Sequence, residues 1–238
     1  FAHFANIPLP GGDLAAKQPW RMALAYLKDA FGENLPPLQA LKKISIKKMR
    51  GVLEMMKQGA NSPLTSSCGR LFDAVSFMVG TSPLEMEFEA EAPMRLEAAA
   101  GKGVKGKYRF ETIENNQNQD KPTDRKIQKN YQISFKKMIR GIAGDCEKGI
   151  PVSHISAKFH QTLAEVIGEM AEKAKSQHGI QTVVLTGGVF LNKRLLQEAH
   201  EVLEKRGFSM LRPIKYSPND ESISLGQIAF ALRSQQMK

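Results

Sequence analysis

The chain has 238 residues, 42% of them hydrophobic, enough to bury the core of one large or two small globular domains. No apolar run approaches the roughly 20 residues that span a bilayer, residues 1–6 lack the basic and apolar regions of a secretory leader, and two distant cysteines exclude a disulfide framework. Lysine and arginine exceed aspartate and glutamate by 34 to 24, a formal charge of +10, which fits either solvated basic faces or a surface for an acidic partner.

With Phe1 in place of Met, the chain reads as a piece of something longer. Pro8, Pro10, Gly11, Gly12 and Asp13 predict a turn. A helix follows over 20–31, with Met22, Ala23, Tyr26, Leu27 and Ala30 on its inner stripe. Pro36-Pro37 interrupts it, and a basic helical stretch runs to about Gln58, where Asn61-Ser62-Pro63 breaks the pattern. Ser66-Ser-Cys-Gly-Arg70 opens a helix with Leu71, Phe72, Val75 and Met78 on its buried side. A further helix is expected over 85–100, a strand over 108–113, and a mobile polar loop over 115–130.

Beyond that loop the pattern alternates. Ser134 is the expected N-cap of a helix carrying Phe135, Met138, Ile139 and Ile142 on one stripe. A second helix places Ile155, Phe159, Leu163 and Val166 together and ends at Gly179. A buried strand is expected over 180–186, a helix with Leu191, Leu195, Ala199 and Leu203 inward, a strand over 208–214, and a last helix over 223–232. Such alternation predicts βαβ units and a mainly parallel sheet, an α/β fold with a helix-rich front. Cys68 and Cys146 fall in helical contexts and read as reduced, small core residues of a cytoplasmic protein.

Gly101-Lys-Gly-Val-Lys-Gly106 matches a dinucleotide fingerprint by letter only. It follows a helix and precedes a strand, the reverse of the required order, and reads as a flexible basic loop. Thr186-Gly-Gly-Val-Phe-Leu-Asn192 has the right context. Gly187 and Gly188 end a strand, and the next helix offers free N–H groups to an anion. The alternatives are a phosphate contact or a structural turn, with Asn192 as cap or ligand contact. Asp220 lies at the same sheet edge, either a metal ligand beside phosphates or the N-cap of the last helix. Arg70 and Asp73 stand one helical turn apart, as a surface pair or as a carboxylate holding sugar hydroxyls. His154 and His160 fall on different faces of one helix and make no metal pair.

Leu9-Pro-Gly-Gly-Asp13 with Pro19-Trp-Arg21, Ser66-Ser-Cys-Gly-Arg-Leu-Phe-Asp-Ala74, Ala157-Lys-Phe-His160, Thr186-Gly-Gly-Val-Phe-Leu-Asn192 and Pro218-Asn-Asp220 occur in that order. Together they resemble the C-terminal part of the HypF carbamoyltransferase family, whose last domain is similar to the Kae1-like tRNA-modification ATPases. The resemblance implies the actin/hexokinase/Hsp70-like (ASKHA) α/β fold, represented here by its C-terminal half. Residues 1–132 would form a helix-rich subdomain and residues 133–238 an α/β subdomain. It implies a role in maturing nickel–iron hydrogenases: ATP and carbamoyl phosphate yield a carbamoyl-adenylate, and the carbamoyl group passes to the C-terminal Cys of a HypE-like acceptor protein. Gly69, Asp73, Gly187, Gly188 and Asn192 would contact the nucleotide, and Asp220 a divalent metal (Mg, Zn or Fe); no catalytic residue is assigned. Neither membrane nor nucleic acid is expected as a partner.

The chain departs from that family's pattern at Asn219-Asp-Glu-Ser222, where Asn-Asp-Gly-Gly is usual. The family's H-x-x-x-H metal motif and D-G-x-G phosphate loop are expected upstream of this sequence. The competing readings are a Kae1/TobZ-like enzyme acting on tRNA or a small hydroxyl, and a degenerate nucleotide-binding or interaction domain.

Overall fold

The computed structural model describes residues 1–116 and 129–236, which fall into two compact units, Phe1–Thr162 and Leu163–Lys238. In the first unit, β1 (Ala2–Phe4) lies parallel to β5 (Lys129–Ser134), and β4 (Glu111–Asn116) pairs antiparallel with β5 in the register Thr112–Ile133. Alternation along β5 turns Tyr131 and Ile133 into the core. A short pair, β2 (Ile7–Pro8) with β3 (Leu64–Thr65), is antiparallel. The expected boundary at 132/133 falls inside β5, whose pairing ties residues 129–134 to the first unit.

Helices fill the rest of this unit: α1 (Asp13–Lys17), α2 (Pro19–Phe31), α3 (Ile46–Gln58), α4 (Cys68–Met78), α5 (Glu91–Ala98) and α6 (Lys136–Glu147). Pro19 starts α2 where its missing N–H is harmless, and Gly32 ends it. Every residue of α4 from Leu71 to Met78 is buried, not one stripe alone, so Asp73 and Ser76 are carried into the core with the apolar residues. Ser76 is satisfied there by Thr81 Oγ1 at 2.7 Å.

Three expectations shift here. α5 begins at Glu91, because Ala90 takes a left-handed conformation and the Glu91 carboxylate accepts from the Glu87 N–H at 2.8 Å, folding 85–90 back irregularly. The α6 N-cap is Phe135, since strand pairing with Glu111 holds Ser134 in β5. The expected loop over 115–130 is strand at both described ends, and residues 117–128 lie outside the described residues.

Helix α7 (Val152–His178) begins in the first unit and contributes its later turns to the second. There β6 (Thr182–Val184) and β7 (Ser209–Leu211) form a parallel pair, with α8 (Lys193–Lys205) between them in sequence and α9 (Ile223–Gln236) after them. Ala164, Ala171, Leu185, Ala199, Leu203 and Phe208 make the core. A Cβ on Gly168 would lie 2.5 Å from Val202 Cγ1, so α7 and α8 pack as closely as they do only because that position is glycine. Arg206 clamps the contact with bonds to Glu165 and Glu172 at 2.7 and 2.8 Å. Both strands are shorter than expected, and Val184 is exposed, so the predicted buried strand over 180–186 is a three-residue, one-sided ribbon. The pairing is parallel for β1–β5 and β6–β7 and antiparallel for the other two pairs, a mixed α/β arrangement.

Candidate nucleotide-binding elements

Two sets of predicted residues stand in the two units, and each has its own geometry. In the first, the chain enters α4 through Ser67, whose side chain caps the helix by accepting from the Arg70 N–H at 3.4 Å. The Pro-Gly-Gly turn beside β3 is tied by Leu9 N–H to Pro63 O and Gly11 N–H to Asn61 O, both 2.8 Å. Arg21 holds the turn from α2. Its Nε donates to Gln18 Oε1 at 2.7 Å, its Nη1 to Pro10 O at 3.4 Å, and its guanidinium sits 4.8 Å from the Trp20 ring. A Cβ on Gly69 would meet nothing closer than Ser67 Oγ at 3.6 Å, so no protein contact demands glycine there and the space is open to a ligand.

Asp73 is fully buried one turn into α4. Arg70 Nη1 approaches its Oδ2 to 3.1 Å, but not in hydrogen-bonding alignment. Both Asp73 oxygens, Arg70 Nη1 and the Tyr26 hydroxyl are buried without a hydrogen-bond partner. Burial pushes the Asp73 carboxyl up to about 7, with Arg70 pulling the other way. The Tyr26 phenol is also pushed up, first by burial and then by Cys68, Asp29 and Asp73. Unsatisfied buried polar atoms each cost about 1–3 kcal/mol, and four of them stand together on α2 and α4, which makes this the most strained polar group among the described residues of the two helices. Sequence periodicity puts Tyr26 on a core stripe, and the Arg70–Asp73 pair, for which a surface position is one alternative, meets through buried atoms. The signal for Tyr26 was a tyrosine where an apolar stripe needs no hydroxyl.

The Phe-His pair supports this helix from beneath. Phe159 and His160 are buried, and Phe72 meets their rings edge-on at 4.9 and 5.4 Å. His160 Nδ1 lies 2.8 Å from Ser156 O, and His154 is exposed, so the two histidines do not converge. Cys68 and Cys146 are half-buried free thiols, pushed up to about 12 and about 11 by burial. The 101–106 loop is pinned to α7, with Gly106 N–H donating to Gln161 Oε1 at 2.8 Å and Gln161 Nε2 to Val104 O at 2.6 Å; it is a fastened connection, not a cofactor turn.

In the second unit, Gly187 and Gly188 follow β6 and meet the loop after β7. Gly187 N–H donates to Pro218 O at 2.7 Å, Thr186 Oγ1 to the same oxygen at 3.4 Å, and a Cβ on Gly188 would lie 3.7 Å from Asn219 Cβ. Gly187 has φ +100°, a conformation L side chains rarely adopt. Residues 188–191 form a 3₁₀ turn, and Asn192 caps α8 by accepting from the Leu195 N–H at 2.8 Å. The predicted juxtaposition of Gly187-Gly188 with the 218–220 loop is therefore present. At that loop the side chain accepting a backbone N–H is Asn219, from Glu221 at 3.2 Å, which leaves Asp220 exposed. Ser222 Oγ donates to Ser217 O at 2.7 Å and closes the loop where a glycine is usual. Among the described residues no three His, Cys, Asp or Glu side chains come together to hold a metal ion, so Asp220 offers one ligand and not a built metal centre.

A family model, "Carbamoyltransferase, Kae1-like Domain, second subdomain", matches residues 1–227. A "Carbamoyltransferase HypF homolog" of Cupriavidus necator is 34% identical over 97% of this chain and 57% of its own length. A "Carbamoyltransferase HypF" of Synechocystis is 30% identical over 99% of this chain and 30% of its own. Among solved structures, full-length HypF in a phosphate- and nucleotide-bound form superposes with a TM-score of 0.81 at 32% identity, over 95% of this chain and 28% of that one. The chain thus spans 57% of the length of the first of these relatives and 30% of the second.

Proposed function

Because this chain belongs to the HypF carbamoyltransferase family, as the second subdomain of its Kae1-like domain, we propose that it supplies nucleotide-binding elements to an ATP-dependent carbamoyl transfer. The observation that carries the reading is the group of buried atoms without a hydrogen-bond partner on Asp73, Arg70 and Tyr26, together with the open space beside Gly69 at the start of the same helix as Asp73. In this reading the Asp73 carboxylate accepts from the ribose hydroxyls, and the Tyr26 hydroxyl and Arg70 complete their hydrogen bonding. The bare backbone of Gly187 and Gly188 admits phosphate at the start of the Asn192-capped helix, where free N–H groups meet anions. Asp220 would give one ligand to a divalent metal, which when bound would neutralise phosphate charge.

The overall reaction proposed for the protein to which this chain belongs follows the family. Carbamoyl phosphate is hydrolysed to carbamate and phosphate, carbamate and ATP give a carbamoyl-adenylate with release of pyrophosphate, and the carbamoyl group moves to the C-terminal Cys thiol of a HypE-like acceptor in hydrogenase maturation with release of AMP. The fold reading is the C-terminal half of an ASKHA domain, and the setting proposed is cytoplasmic, in keeping with two free cysteines. Calorimetric titration with ATP tests the binding role. The chain is expected to bind ATP, and Asp73→Ala is expected to abolish binding. Unchanged affinity in a folded Asp73→Ala chain would overturn the reading.

A further inference from the structure

Lys42, Lys43, Lys47, Lys48 and Arg50 all stand exposed along the approach to α3 and its first turns. None of them forms an ion pair among the described residues, and Glu54 is the single acid on α3, against Lys47, Lys48, Arg50 and Lys57. Five neighbouring cations without an ion-pair partner among the described residues repel one another, and an anionic partner relieves that repulsion. Lys43 also lines a cavity of about 530 Å³ in the first unit, within the size range of ligand-binding pockets. Its floor is apolar and buried, built from Leu38, Ala40, Met78 and Ile155. Cys146 borders it, with its thiol 3.8 Å from Met78 O, and Glu147 is the carboxylate on the rim.

The two features meet at one residue and select one chemistry. No aromatic side chain lines the cavity, so a nucleobase would find nothing to stack on, although phosphates would suit the lysines. A peptide satisfies both parts, with carboxylates for the lysines and an aliphatic side chain for the floor. We infer that this face docks an acidic protein segment that inserts one apolar side chain into the cavity beside Lys43. The site shares no residue with the proposed nucleotide-binding elements, so it stands independently of them.

Fluorescence anisotropy of the whole 238-residue chain against three probes tests this: the peptide Glu-Asp-Glu-Leu-Asp-Glu-Asp-Glu, the same peptide with Gly for Leu, and oligothymidylate. The Leu peptide should bind about tenfold more tightly than the Gly peptide, and its affinity should fall steeply with salt. Lys43→Glu with Lys47→Glu should cost roughly tenfold at low ionic strength, and Ile150→Trp, which fills the exposed rim, should bring the Leu peptide down to the Gly peptide. The Leu peptide should also slow alkylation of Cys146, read by mass spectrometry, and leave that of Cys68 unchanged. Unaltered melting and ATP binding in these surface variants establish that the fold is intact. Equal affinity for the two peptides, tighter binding of oligothymidylate, or indifference to the charge reversals would overturn the inference.

Discussion

Asp73 shows how one residue type reports on what its surroundings lack. Its carboxyl is raised from 3.8 to about 7, chiefly by burial. A group with a raised acid pKa binds more protons folded than unfolded between those two values, so it makes stability fall as pH climbs from about 4 to about 7. Asp73→Asn should remove that slope and raise the melting temperature at pH 8 relative to the parent chain, as thermal melts across pH will show. Ligand binding should run in the opposite sense. Ionised Asp73 is the stronger acceptor for sugar hydroxyls, so ATP affinity should rise from pH 6 to pH 8 in the parent and stay flat in Asp73→Asn. Tyr26→Phe separates structure from ligand. Removing a buried hydroxyl without a partner should leave stability equal or higher, while ATP affinity falls severalfold by calorimetry. Unchanged affinity would take Tyr26 out of the site.

At the scale of elements, the sheet-edge turns are held by specific backbone and side-chain bonds that single substitutions can cut. Gly187→Ala places a Cβ at φ +100°, which should cost about 1–3 kcal/mol in chemical denaturation. Asn192→Ala removes the cap of α8 and should cost about 1 kcal/mol. Much of the helical framework was legible in the sequence because its signals are local: the 3.6-residue stripe of α2, the Ser66-Ser67 opening of α4, and Asn192 ahead of α8. What was not legible depended on partners far along the chain. Pairing with Glu111 kept Ser134 in a strand, and Ala90 ended the helical run that periodicity extended to residue 85. The same holds for the candidate site. Gly69, Asp73, Gly187, Gly188, Asn192 and Asp220 are candidates on motif order and resemblance alone, whereas Tyr26 joins them only through the packing of α2 on α4.

For the molecule as a whole, the second unit leaves many large apolar side chains exposed. Val184, Leu211, Ile214, Ile228 and Phe230 are all more than half exposed, and the apolar residues of α9 are not gathered on a single covered face. Exposed apolar area of this extent marks an interaction surface or an aggregation liability. The chain should self-associate with rising concentration and bind a hydrophobic dye, and Ile214→Ser with Phe230→Ser should reduce both, as sedimentation and dye fluorescence will measure. No sequence pattern announced this surface, because an apolar helix reads alike whether its cover is present or absent.

Trp20 is the chain's single tryptophan, buried at the start of α2 with the Arg21 guanidinium against its ring. The same helix carries Tyr26, and Arg21 fastens the Pro-Gly-Gly turn. All indole emission from this protein therefore originates at one known point, already perturbed by a cation. Occupancy near α2 and α4 can be followed optically, without a label, by the colour and quenching of that one ring.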